Sequence, residues 1–306
     1  MPRVIEIADD AVSSLAECGD ALSATGFDPR DEESLAHAAQ QLRRLGNNRA
    51  FFGDMLIEEL KRDVREDSGE NSYGPQVVML RPVGTGNFFI RANIWPSHDE
   101  HAMRASGGGA FVYAQPHDHN FDFLTVGYFG PGYWSNYYEY DYGEVVGYRD
   151  EPVALRFIER SRLEQGKIML YRAHLDVHDQ APPDALSISL NIMHTSGAQA
   201  WFDQYSFDLE RRCIGRIVSN GSSEAFLRIA VGMGSAEARD LASAFGRSHV
   251  SERMRLASWE ALASVEAEPA ARDQVWREAE AAGSRLVAAE ARARRQQLAA
   301  RDRIST

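Results

Sequence analysis

His117-Asp118-His119, followed about sixty residues later by His178, is the group in this sequence best suited to chemistry. On a β-strand, side chains at i and i+2 leave the same face, so His117 and His119 can act together. A third imidazole from a neighbouring strand then completes a three-nitrogen face for a divalent metal. Such a face leaves coordination positions open for substrate and oxygen, or for a water. If the pair points inward, Phe121 and Phe123 continue that face, while Asp118 and Asp122 point away. The second element runs from Gly166 to His178: a glycine opens a strand, a short turn follows, and the histidine arrives at the end. His174, inside that element, reads as a further ligand, a base beside the metal, or a turn residue.

Other side chains qualify as partners of a metal-bound substrate. Arg91 and Arg172 can each hold a carboxylate through paired N–H donors. The competing reading is an ordinary salt bridge, in a chain with 45 acidic residues. Tyr113, four residues before His117, shares its parity and is expected to orient substrate. The aromatic block from Tyr128 to Tyr142 is broken by Gly130-Pro131-Gly132, a turn signal, and so reads as a hairpin of two tyrosine-rich strands. Tyr128 and Tyr137 are its expected pocket-facing members, although tyrosine also favours strands for packing alone. No Ser-His-Asp triad, phosphate-cradling glycine loop or dinucleotide fingerprint can be made out.

Three zones must position these residues. Residues 1–70 read as a helical segment. Ser34–Leu45 sets Leu35, Ala38, Leu42 and Leu45 on one stripe, Ala50–Val64 repeats the pattern, and a polar connector follows over 66–74. Residues 71–218 carry short runs rich in Val, Ile, Phe and Tyr between Gly, Pro, Asp and Asn, including 77–80, 87–95, 111–114, 123–129, 137–142, 154–158, 167–171, 186–192 and 201–207. Runs at this spacing predict an antiparallel sandwich or barrel, and strands alternating with long helices are absent. Residues 219–306 are rich in Ala, Glu and Arg, with helices expected over 223–231, 235–245, 251–265 and 270–301. An all-helical appendage of this kind serves packing or dimerisation more often than catalysis.

Composition narrows the function further. The 306 residues are 44% hydrophobic and 25% charged, which suits a folded domain with an appendage. A formal net charge of −12 argues against a nucleic-acid or anionic-membrane surface. Two distant cysteines, Cys18 and Cys213, exclude a disulfide framework and a cysteine-based structural zinc site. The start, Met1-Pro2-Arg3-Val4, lacks the basic and apolar regions of a secretory leader, and no apolar run approaches a membrane span. A cytoplasmic location is expected.

The motifs resemble those of the cupin superfamily, H-x-H and later G-x5-P-x-G-x-x-H. Gly166 is followed after five residues by Arg172-Ala173-His174, so the proline and second glycine are replaced, and Leu175-Asp176-Val177 places one extra residue before His178. The family's usual glutamate is missing, with Phe123 and Leu124 in its place. A carboxylate-free, three-histidine site is similar to the thiol dioxygenase branch, of which cysteine dioxygenase is the familiar member. That branch also has a strand ending in tryptophan ahead of H-D-H, matched by Asn93-Ile94-Trp95. Its later serine-leucine-histidine-leucine strand is matched by Ser189-Leu190-Asn191-Ile192, with Asn191 where the family has a histidine behind the ligands. Leu124 replaces the cysteine of a thioether crosslink. The likeness covers about 75–195.

What the resemblance implies is a mainly β protein: a cupin-like antiparallel barrel (jelly roll) with helical flanks and a C-terminal all-helical segment. It implies an iron(II) dioxygenase with metal ligands His117, His119 and His178. Tyr113, Asn191 and His174 would stand beside the reaction, and Arg91, Arg172 and Tyr128 would hold a small anionic substrate, a thiol or amino-acid derivative. Dioxygen is the expected co-substrate. Zinc, manganese or nickel are the alternative metals, and zinc or manganese would serve an isomerase or hydrolase. A further alternative is a non-catalytic ligand sensor whose C-terminal helices bind a protein partner or a second copy.

Overall fold

Ser14 begins the helical layer with a capping box: its side chain accepts from the Glu17 backbone N–H while the Glu17 carboxylate accepts from Ser14. The computed structural model describes residues 2–63, 76–82, 84, 86–219 and 221–304. The connector expected over 66–74 lies outside the described residues. After strand β1 (Arg3–Ile5) come α1 (Leu15–Thr25), α2 (Glu32–Asn47) and α3 (Phe51–Asp63). Then follow β2 (Val77–Arg81), β3 (Phe88–Trp95), α4 (His101–Ser106), β4 (Phe123–Phe129), β5 (Trp134–Glu139), β6 (Arg156–Arg162), β7 (Ile168–Tyr171), β8 (Asp176–Ala181) and β9 (Ser187–His194). The chain continues with β10 (Tyr205–Asp208), β11 (Cys213–Ile217), α5 (Ser222–Gly232), α6 (Ala236–Ser248), α7 (Glu252–Ser264), α8 (Pro269–Glu280) and α9 (Arg285–Ile304).

The chain divides into two compact units, Met1–Asp141 with Ala154–Gly197, and Tyr142–Val153 with Ala198–Thr306. The helices of the first zone therefore share a unit with the large sheet, and the break falls near 197, whereas the sequence reading put it at 218.

In the first unit, six antiparallel strands run in the order β1-β7-β4-β9-β3-β2, and three more in the order β6-β5-β8. Strand alternation gives the large sheet two distinct faces. Ile90, Ala92, Leu124, Val126, Leu170, Leu190 and Ile192 point to the helices, where Leu35, Leu42 and Leu45 of α2 and Leu22 of α1 meet them. Each fully buried Leu or Ile there contributes roughly 2 kcal/mol. The other face is aromatic: Trp95, Phe123 and Tyr171 pack with Tyr137 of the small sheet and with Tyr133, the residue before β5. Among the described residues the sheets form a layered sandwich and no closed barrel is found, so the jelly roll expected from the sequence is not seen as a closed structure. The physical reason is in the edges: among the described residues no ladder joins the end strands β1 and β2 of the large sheet to β6 or β8 of the small one, so the sheets stay separate.

Local departures have local causes. The run 111–114, expected as a strand, follows a 3-10 turn, Gly108–Phe111, and makes one isolated bridge, Tyr113 to Gln180. Gly107, Val112 and Ala114 all have positive φ, which interrupts extended backbone. Helix α1 was not expected, although Ser14 and Glu17 are a capping signature visible in the sequence. The single helix expected over 270–301 is split at Gly283, φ 82°.

The second unit holds the β10-β11 hairpin and α5–α9. Trp259 of α7 is buried with its indole N–H donating to the Gly246 carbonyl at 3.0 Å, a close approach that a Cβ on Gly246 would block at 2.8 Å. No helix among the described residues is long and apolar enough to cross a membrane.

Candidate metal centre

The H-x-H segment lies between strands, yet behaves as extended chain. His117 exchanges both backbone hydrogen bonds with His178 of β8, at 3.1 and 3.0 Å. Asp118 turns the other way, where its carboxylate accepts from the Tyr140 hydroxyl at 2.6 Å. The three rings converge, with centroid separations of 4.5 Å for His117–His178 and 4.9 Å for both His117–His119 and His119–His178. One ligand atom from each lies within 4.8 Å of the others. His119 and His178 are 7% and 2% exposed, and His117 is intermediate.

The donor set fits a divalent ion. His178 Nε2 and His117 Nε2 are 3.1 Å apart. Two nitrogens about 2.1 Å from a shared ion, at angles between square and tetrahedral, stand about 3.0–3.4 Å apart. The Nδ1–H of His117 donates to the Gln115 carbonyl at 2.7 Å, which fixes the tautomer and leaves Nε2 as the lone-pair nitrogen. His119 Nδ1 is buried and meets no hydrogen-bond partner. Burial drives the His119 pKa well below its ordinary value, helped by His117 and Arg91, and burial with the other two histidines does the same for His178. Burial lowers His117 as well. Neutral imidazole is the form that binds metal.

Arg91 and Asn191 sit opposite each other across β3 and β9, on the aromatic face. Burial pulls the Arg91 pKa down to about 10, and its Nε meets no acceptor. Asn191 is 2% exposed, and its Nδ2 likewise meets none. Tyr113 is buried in the aromatic layer, but its hydroxyl donates to the Pro96 carbonyl at 2.9 Å. His174 adopts φ 60° at a turn; its backbone N–H donates to the His119 carbonyl at 2.8 Å, and its ring is outside the three-histidine group. Asp122 is outside that group too, accepting from the Ala173 N–H at 2.9 Å.

Two expected substrate residues lie elsewhere. Arg172 is held by Asp176, through Nε and Nη2 at 3.0 and 2.7 Å, and by Glu139 at 2.9 Å. Those carboxylates raise its pKa and occupy its donors, so it is an internal clamp. Tyr128 shares the parity of Leu124 and Val126, packs on Phe51 and Phe52, and donates to the Asn48 carbonyl at 2.8 Å. It belongs to the helix-facing core. Counting from Phe123 along β4 would have placed it there.

Sequence reasoning passed over Tyr171 and Tyr133. The Tyr171 ring is 5.0 Å from His178 and stacks on Phe123 at 4.5 Å, and its hydroxyl is 2.9 Å from that of Tyr137. Tyr133 also hydrogen-bonds Tyr171 and lies on Trp95 at 4.1 Å. Burial pushes Tyr137 up to about 12 and raises Tyr171 and Tyr133 as well, so these phenols are neutral. The parity of Tyr171 with Met169 on β7 was the available signal. Cavities of about 530 and 240 Å³ lie among α5 and α7–α9, but the arginines of the larger are paired with Asp273 and Glu280.

No protein-family model matches the chain, and no curated protein matches it. Among solved structures, the DMSP lyase DddQ from Ruegeria pomeroyi DSS-3 is similar over 64% of this chain and 79% of that one, at 9% identity and a TM-score of 0.25. A superposition that loose carries no argument about fold or activity, so the chain's own residues must carry the functional reading.

Proposed function

We propose that the chain is a metal-dependent, cupin-type enzyme that binds iron(II) on His117, His119 and His178 and oxidises a small anionic substrate with dioxygen. The observation that carries this reading is the group of three converging imidazoles with no carboxylate in it. Bound there, a divalent ion on neutral nitrogens would supply a strong Lewis acid with positions left for substrate and dioxygen. Gln115 holds the His117 ring in its ligating tautomer. Arg91 supplies the positive charge beside His119 that an anionic substrate needs. The aromatic layer of Trp95, Phe123, Tyr133 and Tyr171 keeps water from the rest of the site.

The test is metal content of anaerobically purified protein, followed by oxygen uptake with thiol and non-thiol carboxylates. Iron bound in proportion to chain, with uptake lost in His178→Ala, is the expected result; no divalent metal at all would refute the reading. A second reading, a zinc or manganese isomerase or hydrolase, is favoured by the Tyr137–Tyr171 pair, since a phenol beside the metal can hold or pass a proton without an oxidant. Turnover under argon would decide for it. Metal with ligand binding and no turnover would leave a sensor.

A further inference from the structure

Four helices of the second unit converge on a small cavity of about 240 Å³. Helix α5 contributes Arg228, α7 Glu260, α8 Arg272 and Trp276, and α9 Arg294 and Leu298. Arg272 with Trp276, and Arg294 with Leu298, stand four residues apart, so each pair shares one face of its helix. Three arginines and one glutamate are the charged groups of the wall. Two positive charges are thus in excess there, on a chain whose formal net charge is −12.

Local bonds hold these groups in place without removing the excess. Arg294 Nη2 donates to Glu260 at 2.7 Å, but its Nε is buried and meets no hydrogen-bond partner. Arg272 donates from Nε and Nη2 to the Glu266 and Ala267 carbonyls at 2.8 and 2.7 Å, which fixes the guanidinium and leaves its charge unbalanced. Arg228 is exposed and makes no ion pair among the described residues. Burial pushes the Glu260 carboxyl up, while Arg294 and Arg228 draw it down. The nearby acids Glu224 and Glu290 are engaged elsewhere, with Arg253 and with the Arg149 backbone N–H. The larger cavity beside α9 is the contrast: its Arg277, Arg292 and Arg295 each meet Asp273 or Glu280, at 2.7 to 3.4 Å.

We infer that the cavity among α5, α7, α8 and α9 binds a small phosphate monoester. Near neutral pH such a group carries nearly two negative charges and three strong acceptor oxygens, which match the surplus and the remaining N–H groups of Arg228, Arg272 and Arg294. A carboxylate would bring one charge only. Trp276, 6% exposed, gives the carbon body of the ester a flat apolar wall beside Leu298. The volume lies below the roughly 300–1,000 Å³ of drug- and cofactor-sized pockets, so the ligand is small. The site needs no metal. It shares no residue with the three-histidine group, so its ligand is distinct from a substrate held there.

The test is calorimetric titration of the full chain, freed of metal by a chelator, with phenyl phosphate as the probe. Binding at one site per chain is expected. Arg228→Gln alters an exposed side chain without an ion pair, and should weaken binding by about 10-fold at an unchanged melting temperature. Glu260→Gln takes away the opposing charge and should tighten binding by about 5-fold, a direction that damage to the fold would not produce. Phenyl sulfate, equal in shape but singly charged, should bind on the order of 10-fold more weakly. His178→Ala should bind phenyl phosphate as wild type does, which separates this site from the metal centre. Absence of binding at millimolar phenyl phosphate, or affinity indifferent to both Arg228→Gln and Glu260→Gln, would overturn the inference. So would equal affinity for phenyl sulfate, or binding lost in His178→Ala, which would put the phosphate at the histidines.

Discussion

The three-histidine group makes a quantitative demand on metal binding. His178 is the member to remove, because its Nε2 stands 3.1 Å from that of His117 while its backbone bonds to His117 do not need the ring. His178→Ala therefore takes away one nitrogen donor and keeps the strand bridge. An ion that binds the folded chain alone stabilises it by about 2.7 kcal/mol when present at a hundred times its dissociation constant. For a unit of this size that corresponds to roughly 5–11 °C in Tm. The assay is thermal unfolding of metal-free protein, with and without iron(II) under anaerobic conditions, zinc, manganese or nickel. Wild type should show the rise with at least one ion, and His178→Ala and His119→Ala should show none at the same concentration. A shift of the same size in all three proteins would place the ion elsewhere; no shift with any ion would refute the coordination argument.

Other outcomes follow from the same structure. Metal-free protein should lose stability as pH falls from 7.5 to 5.0, because unfolded His119 and His178 protonate below about 6.5 whereas burial drives their folded forms well below that value. The loss grows as pH falls and should be clearly smaller in the His119→Gln/His178→Gln protein in urea titrations, where His117, His174 and His194 still contribute; parallel curves would refute it. Asp176→Asn should cost about 3 kcal/mol in the same assay, since Asp176 is fully buried and its partner Arg172 is left half-covered without its main anion. Arg172→Met should leave ligand affinity unchanged, in contrast to Arg91→Met. Tyr128→Phe should cost about 1 kcal/mol, the hydrogen bond to Asn48, and leave turnover untouched.

Much of this was legible residue by residue. Strand period alone put Phe123 with the histidines and Asp118 away from them, and helical period set Leu35, Leu42 and Leu45 on the buried stripe of α2. The capping pair Ser14 and Glu17 and Gly283, with φ 82°, mark helix ends that residue type alone signals. Tyr128 shares the parity of Leu124 and Val126, so the alternation that sets Phe123 beside the histidines sets Tyr128 against the helices. Arg172 could not be placed from the sequence, because whether an arginine meets Asp176 four residues on or a substrate depends on how tightly the turn at His174 folds back.

The sequence by itself determined which residues can bind a metal and which face of each segment they share, since both follow from side-chain chemistry and the alternation of extended chain. Only the tertiary structure decided which of those faces meet. Register across β3, β9 and β4 brings Arg91, Asn191 and Thr125 into one row, and β5 with the residue before it lays Tyr137 and Tyr133 against Tyr171. Those contacts join segments far apart in the chain, where pairing is fixed by the packing of whole layers and leaves no mark on local spacing.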